Sequence, residues 1–198
     1  MKTVATESVA GAARRRVEGA RPGTFLRRRD FVGSDRAIES ALSRMAAQGE
    51  LVRVRRGLYW RGTKTRFGMT CPSALEAAVA VGGPGTGPSG VAAAHLLGLS
   101  TQVPATVEVA VPGKIPEPMP GVRFRSRPYS RREHRLIPAE VAVLEVLRDP
   151  GATEAPWPVV VAHIRGLIAN GTVRGDVLAL QATEEPRVQA RERWATVA

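Results

Sequence analysis

The sequence predicts an α+β chain in two parts, a winged helix-turn-helix over residues 1–68 and a mixed α/β domain with a helical C-terminal end over residues 69–198. Three observations predict it. Apolar residues recur at helical spacing between Ser34 and Gly49, an arginine-bearing hairpin pattern follows at once, and the positive charge is concentrated in that same stretch.

The charge asymmetry is pronounced. Of the formal net charge of +11, residues 1–70 carry +10, from 16 Lys/Arg against six Asp/Glu, while residues 71–198 carry +1. Arginine outnumbers lysine 26 to 3. A codon bias toward arginine acts along the whole chain, so the asymmetry needs a local cause. A polyanionic partner is the simplest one, and a merely solvated basic face is the competing reading. A hydrophobic share of 43% with 24% charged residues is ordinary for a globular protein. The apolar runs Ala92–Ala94 and Val159–Ala162 fall far short of the roughly 20 residues a membrane span needs. Met1–Ala13 lacks the apolar core of a secretory signal, and the single Cys71 permits no internal disulfide. A cytoplasmic location is expected.

The elements are read in chain order. A first helix is expected from Thr6 to Gly19, broken by Arg21-Pro22-Gly23. Residues Arg27–Val32 then suit one short helical turn, ended by Gly33. Ser34 is a natural N-cap, with Asp35 favourable beside the positive helix end. Ile38, Ala41, Leu42 and Met45 line one face of the helix that follows; Arg36, Ser40 and Ser43 project from the other, with Glu39 and Arg44 on the flanks. Gly49 suits the left-handed position past its end. Small polar and basic groups on an outer helical face can enter a major groove and reach base edges. Next, Leu51–Trp60 reads as a hairpin turned at Gly57, with Arg55 and Arg56 at its tip beside phosphates or the minor groove.

Arg61–Thr70 is polar and basic, either more of the wing or a link. Pro72 is placed in the first turn of a helix through Val79, and Gly82–Pro88 is expected as a flexible loop. Ser89 is expected to cap a helix running to Leu97 and closed by Gly98. Strands are expected at Thr106–Val111 and Val122–Arg127, with Pro112–Pro120 between them. A helix opening at Pro138 ends at Asp149-Pro150-Gly151, and three more are expected at Val159–Ala169, Val173–Leu180 and Pro186–Thr196.

No catalytic set emerges. The Gly82–Gly87 stretch lacks the Gly-Lys-Ser/Thr ending of a phosphate-binding loop and follows a helix rather than a strand. His95, His134 and His163 have no neighbours at metal-ligand spacing; His95 reads as a core or partner-facing residue and Cys71 as a small half-buried one. A metal nuclease needs converging carboxylates, and Glu108, with Lys114 beyond a Pro-Gly break, has no acidic companion close before it. The expectation is a non-enzyme with no cofactor and no bound metal.

The run Ala41-Leu42-Ser43-Arg44-Met45, then Gly49-Glu50-Leu51-Val52-Arg53-Val54-Arg55-Arg56-Gly57-Leu58-Tyr59, resembles the winged-helix head of the AbiE-type (AbiEi-like) antitoxins of type IV toxin–antitoxin systems. Phe31 and Ile38 add to that match. Ala92–Leu99 and Pro138–Glu145 are similar to helices of that family's antitoxin domain. The resemblance implies a mixed α/β antitoxin domain after the head, repression of the chain's own operon at an operator with repeat sequences, and opposition to a nucleotidyltransferase toxin without an obligatory stable complex. The expected double-stranded DNA contacts are Arg36, Ser40 and Ser43 at base edges, and Arg27, Arg28, Arg44, Arg53, Arg55, Arg56 and Arg61 at phosphates or the minor groove. Two alternatives stay open: a ligand-responsive winged-helix transcription factor, and an enzyme carrying a DNA-binding head.

Overall fold

Helix α1 (Val9–Glu18) starts where the Ser8 hydroxyl accepts the Gly11 amide at 3.1 Å, satisfying one of the unpaired donors of the first turn. The computed structural model describes residues 8–198, so Thr6 and Glu7, expected in this helix, lie outside the described residues. The chain divides into two units, Met1–Ser73 and Ala74–Ala198, and each is described by itself.

In the first unit, α1 is followed by β1 (Thr24–Arg27), a 3₁₀ turn (Arg28–Asp30), α2 (Asp35–Ala47), β2 (Val52–Arg55) and β3 (Leu58–Arg61). The strands make an antiparallel sheet in the order β1-β3-β2. The short turn expected over Arg27–Val32 is only partly there: Arg27 ends a strand that pairs Thr24 with Arg61 and Arg27 with Leu58. Four residues are too few to display a period, and their partner lies more than thirty positions away in sequence. Helix α2 is capped by Ser34, whose hydroxyl accepts the Ala37 amide at 3.4 Å, and Gly49 beyond it has φ +72°. Its face of Ile38, Ala41, Leu42 and Met45 is buried against Ala13 and Val17 of α1 and against Leu26, Phe31, Leu51 and Tyr59. Each such aliphatic side chain contributes roughly 1.5–3 kcal/mol by leaving water. The β2–β3 hairpin turns through Arg56-Gly57, where Gly57 supplies φ +71°, and a bulge lies between Arg53 and Arg55.

Residues Arg61–Thr70 contain a small ribbon, β4 (Lys64–Thr65) against β5 (Gly68–Met69). The Thr65 hydroxyl donates to the Gly68 carbonyl and accepts the Phe67 amide, which fixes the tip. The ribbon is anchored by the Trp60 indole, which donates to the Thr70 carbonyl at 2.9 Å.

The second unit is built on a sheet of β6 (Gly87–Pro88), β7 (Val107–Pro112) and β8 (Val122–Arg127), with β7 antiparallel to β6 and parallel to β8. Successive side chains of a strand point to opposite faces. Val109 and Val111 of β7 cluster with Ala78, Leu75, Val122 and Phe124, whereas Ala110 joins a separate, larger helical core. Helix α3 (Ala74–Gly82) supplies Leu75 and Ala78. It starts two residues after Pro72, so Pro72 precedes the helix instead of occupying its first turn. Helix α4 (Val91–Leu96) begins at Gly90, φ +57°, without a side-chain cap. The expected Ser89 cap is therefore corrected: Ser89 is buried and its hydroxyl points elsewhere.

The glycine-rich stretch is likewise no flexible loop. Gly85, Thr86, Gly87 and Pro88 are buried, and Gly87 and Pro88 pair with Ala110 and Val109. A Cβ at Gly85 would meet the Arg131 carbonyl at 2.4 Å, and one at Gly87 the Val141 Cβ at 2.6 Å. Glycine is there because other backbone and side chains come too close for anything larger.

After the short α5 (Ser130–Glu133), helix α6 (Pro138–Arg148) runs through the centre, with every residue from Glu140 to Leu147 buried. Its apolar residues pack on Ala93 and Ala94 of α4, on Leu97 just past its end, and on the terminal helices α7 (Trp157–Ala169), α8 (Gly175–Thr183) and α9 (Val188–Val197). Cys71 is exposed, in place of the half-buried position expected for it. His95 is exposed too, which removes the core position from the two expected for it and leaves the partner-facing one. Among the described residues, no helix is long and apolar enough to cross a membrane. The chain is a mixed α+β protein.

Candidate nucleic-acid interface

Three parts of the first unit converge at one end of its sheet. The Arg28 amide donates to the Gly57 carbonyl at 3.2 Å, so residues Arg27–Arg29 lie beside the hairpin turn. Arg56 in that turn approaches Glu39 of α2, Nε to Oε1 3.5 Å, so the turn lies over the first half of the helix. Arg36 and Ser40 are both exposed, one helical turn apart, and Arg44 continues the stripe with its Nε donating to the Ser40 carbonyl at 3.3 Å. Arg53 is exposed on β2, Arg55 is half-buried, and the Arg56 side chain is 85% exposed. Among the described residues, neither Arg36 nor Arg53 has an acidic partner.

Other expected contacts have tasks inside the protein. Arg61 sits at the far end of β3 from the turn, roughly 10 Å or more along the strand. Its guanidinium donates to the carbonyls of Ala20 and Glu18, satisfying the end of α1. Ser43 is half-buried, and its hydroxyl lies 3.2 Å from that of the buried Tyr59. Arg28 pairs with Asp35 and donates to the Gly33 carbonyl at 3.2 Å, bracing the entry to α2. Arg27 is half-buried, and its amide is accepted by Asp30 at 2.6 Å. Two residues on this face were not in the expected set: Arg29, exposed beside the turn, and Glu39. The Arg27-Arg28-Arg29 run was the signal for the first; an acidic residue on the flank of a basic face gives no such signal for the second.

The second unit holds its arginines differently. Glu145, on the buried helix α6, accepts from Arg127 Nε at 2.7 Å and Nη2 at 2.6 Å, from Arg131 Nη1 at 2.7 Å and from the Ser89 hydroxyl at 2.6 Å. Arg131, fully buried, also donates to Glu185, which Arg148 reaches from its other side. Burial alone would raise the Glu145 carboxyl. The Arg127 hydrogen bonds, the charges of Arg131 and Arg127, and the Ser89 hydroxyl more than offset it and hold the group at about 2. Burial also opposes ionisation of Glu140, yet its bonds from Arg174 and from the Ile137 amide keep its carboxyl below the usual range. Glu108 on β7 is held low by Arg125 and Arg123 of the neighbouring strand. It is an ion-pair partner of Arg123 and Arg125. Among the described residues, no three His, Cys, Asp or Glu side chains gather as metal ligands.

The model of a family of unknown function (DUF6088) matches residues 12–115, and the chain belongs to that family. The match runs from α1 through β7 and so includes residues of both units. The chain is also similar to the crystal structure of the RV2827C protein from Mycobacterium tuberculosis, at 18% identity over 96% of this chain and 74% of that one. The TM-score is 0.47. No curated protein matches.

Proposed function

We propose that the first unit is a winged helix-turn-helix that binds duplex DNA, α2 reading the major groove and the β2–β3 hairpin serving as the wing. The observation that carries this is the exposed Arg36–Ser40 stripe on a capped helix, bounded by a hairpin with exposed Arg53 and Arg56. The element order, with β3 between β1 and β2, supports the same reading. Arg29, Arg44, Arg53, Arg55 and Arg56 hold phosphates, which position the protein, and Arg36 and Ser40 meet base edges, which specify sequence. In this reading Arg61 and Ser43 serve the unit's own fold.

We propose further that the whole chain is an autorepressor and antitoxin that counters a nucleotidyltransferase toxin encoded beside it. The likeness of Ala92–Leu99 and Pro138–Glu145 to antitoxin-domain helices supports this half. Co-expression with the neighbouring gene tests it: growth arrest by that gene alone, relieved by this chain, is the expected result. Arrest that persists with the chain abundantly expressed would remove the antitoxin role and leave the DNA-binding one.

A second reading, a ligand-responsive regulator, draws on a cleft of about 500 Å³ in the second unit, lined by residues including Ser89, Val91, Pro104, Glu108 and Asp149. That volume is within the range of small-molecule sites. A neighbouring gene for an enzyme or a pump, in place of a nucleotidyltransferase, would favour it.

A further inference from the structure

On the face proposed to meet DNA, Glu39 is out of place. A carboxylate there repels phosphates, and the other acidic groups of that face each have a local structural task. Asp30 accepts the Arg27 amide at 2.6 Å, and Asp35 stands in the first turn of α2 beside Arg28. Glu39 lies beyond that first turn, where the positive end of the helix no longer favours it. Its side chain is 36% exposed, adjacent in sequence to Ser40 and three residues after Arg36, on the flank of the row that reads base edges. Its carboxylate meets Arg56 of the hairpin at 3.5 Å, an exposed pairing that adds little stability.

Resting on the winged-helix reading, we propose that Glu39 is a specificity residue that selects a cytosine in the major groove, with Arg56 positioning it in the free protein. A carboxylate only accepts hydrogen bonds. Cytosine offers it the N4 amino donor, whereas guanine and thymine present acceptors that repel it. Adenine sets the acceptor N7 beside its N6 amino donor, which suits an amide better than a carboxylate. Arg56, mostly exposed at the hairpin turn, can turn to a phosphate when the duplex docks, which releases the carboxylate to the base. Glu39 thus lowers affinity for duplexes in general and returns it at one base pair, a penalty against wrong sequences.

The test uses the full chain. Duplexes are selected from a randomised pool, and binding to the selected duplex and its single base-pair variants is measured by fluorescence anisotropy. Wild type is expected to prefer C·G at one position by about tenfold. Glu39→Ala should lose the preference at that position alone and bind unselected duplex several-fold tighter. Glu39→Gln should shift the preference there toward A·T, because an amide pairs with adenine. Arg56→Ala should weaken binding to all duplexes while leaving the cytosine preference in place. Should Glu39→Ala, folded by circular dichroism, keep every preference or weaken all duplexes equally, the inference is overturned and the winged-helix reading stands. Failure of wild type to enrich any duplex would overturn both.

Discussion

Arginine does opposite jobs in the two units. In the first it is exposed and in excess: Arg36 and Arg53 face solvent without acidic partners among the described residues, in a segment whose charge is +10 over residues 1–70. In the second it is matched and largely enclosed: Arg127, Arg131 and Arg148 are tied to Glu145 and Glu185, and residues 71–198 carry only +1. The difference teaches that arginine content alone says nothing of function. Where glutamates answer the guanidinium inside the protein, it cross-links elements; where none do, its charge remains for a partner.

The largest break in that comparison is expected in the buried network. Arg131→Met removes a fully buried cation and leaves Glu145 and Glu185 short of partners, which should cost about 3–5 kcal/mol in denaturant unfolding. An exposed counterpart such as Arg53→Met should change stability by less than about 0.5 kcal/mol. Equal costs for the two would dissolve the contrast between the units.

Acid titration separates the units next. The folded Glu145 carboxyl, at about 2, lies below its ordinary value of 4.5, so the charged form is favoured by folding. Its contribution, on the order of 3 kcal/mol, is fully present above pH 4.5 and lost as pH falls toward 2. Glu145→Gln should be less stable at neutral pH and show a flatter decline across that window. An unchanged acid profile in the variant would mean that the network does not hold the carboxyl low. Smaller still is the loss at the cap: Ser34→Ala should cost about 1 kcal/mol, read as a lower unfolding midpoint, because the Ala37 amide loses its acceptor.

What was legible in the sequence follows the range of the forces involved. Helix α2 with its cap, its buried face and the glycine past its end could be read because each signal lies within a few residues of the next. The β2–β3 hairpin could be read for the same reason. Strand β1 could not, since a strand of four residues is defined by a partner far along the chain. Ser89 looked like a cap because helix starts favour serine; only the fold brings Glu145, 56 positions away, to its hydroxyl. The strand at Val122–Arg127 and the helix opening at Pro138 were visible, with the arginines of the one and Glu140 and Glu145 of the other. What they were for required the pairing that buries them. On the proposed interface, Arg36 and Ser40 were identified from helical spacing alone. Ser43 and Arg61 were drawn inward by Tyr59 and by the end of α1, contacts that no local pattern announces.

The proposal that arginines of the first unit's hairpin serve a duplex is tested most directly by a salt titration of DNA binding with Arg55 and Arg56 reversed to glutamate. Each phosphate contact contributes roughly one unit to the slope of log affinity against log salt. The reversed protein, with the fold retained, should bind every duplex more weakly and show a slope shallower by about two. A slope and affinity equal to those of wild type would contradict the wing.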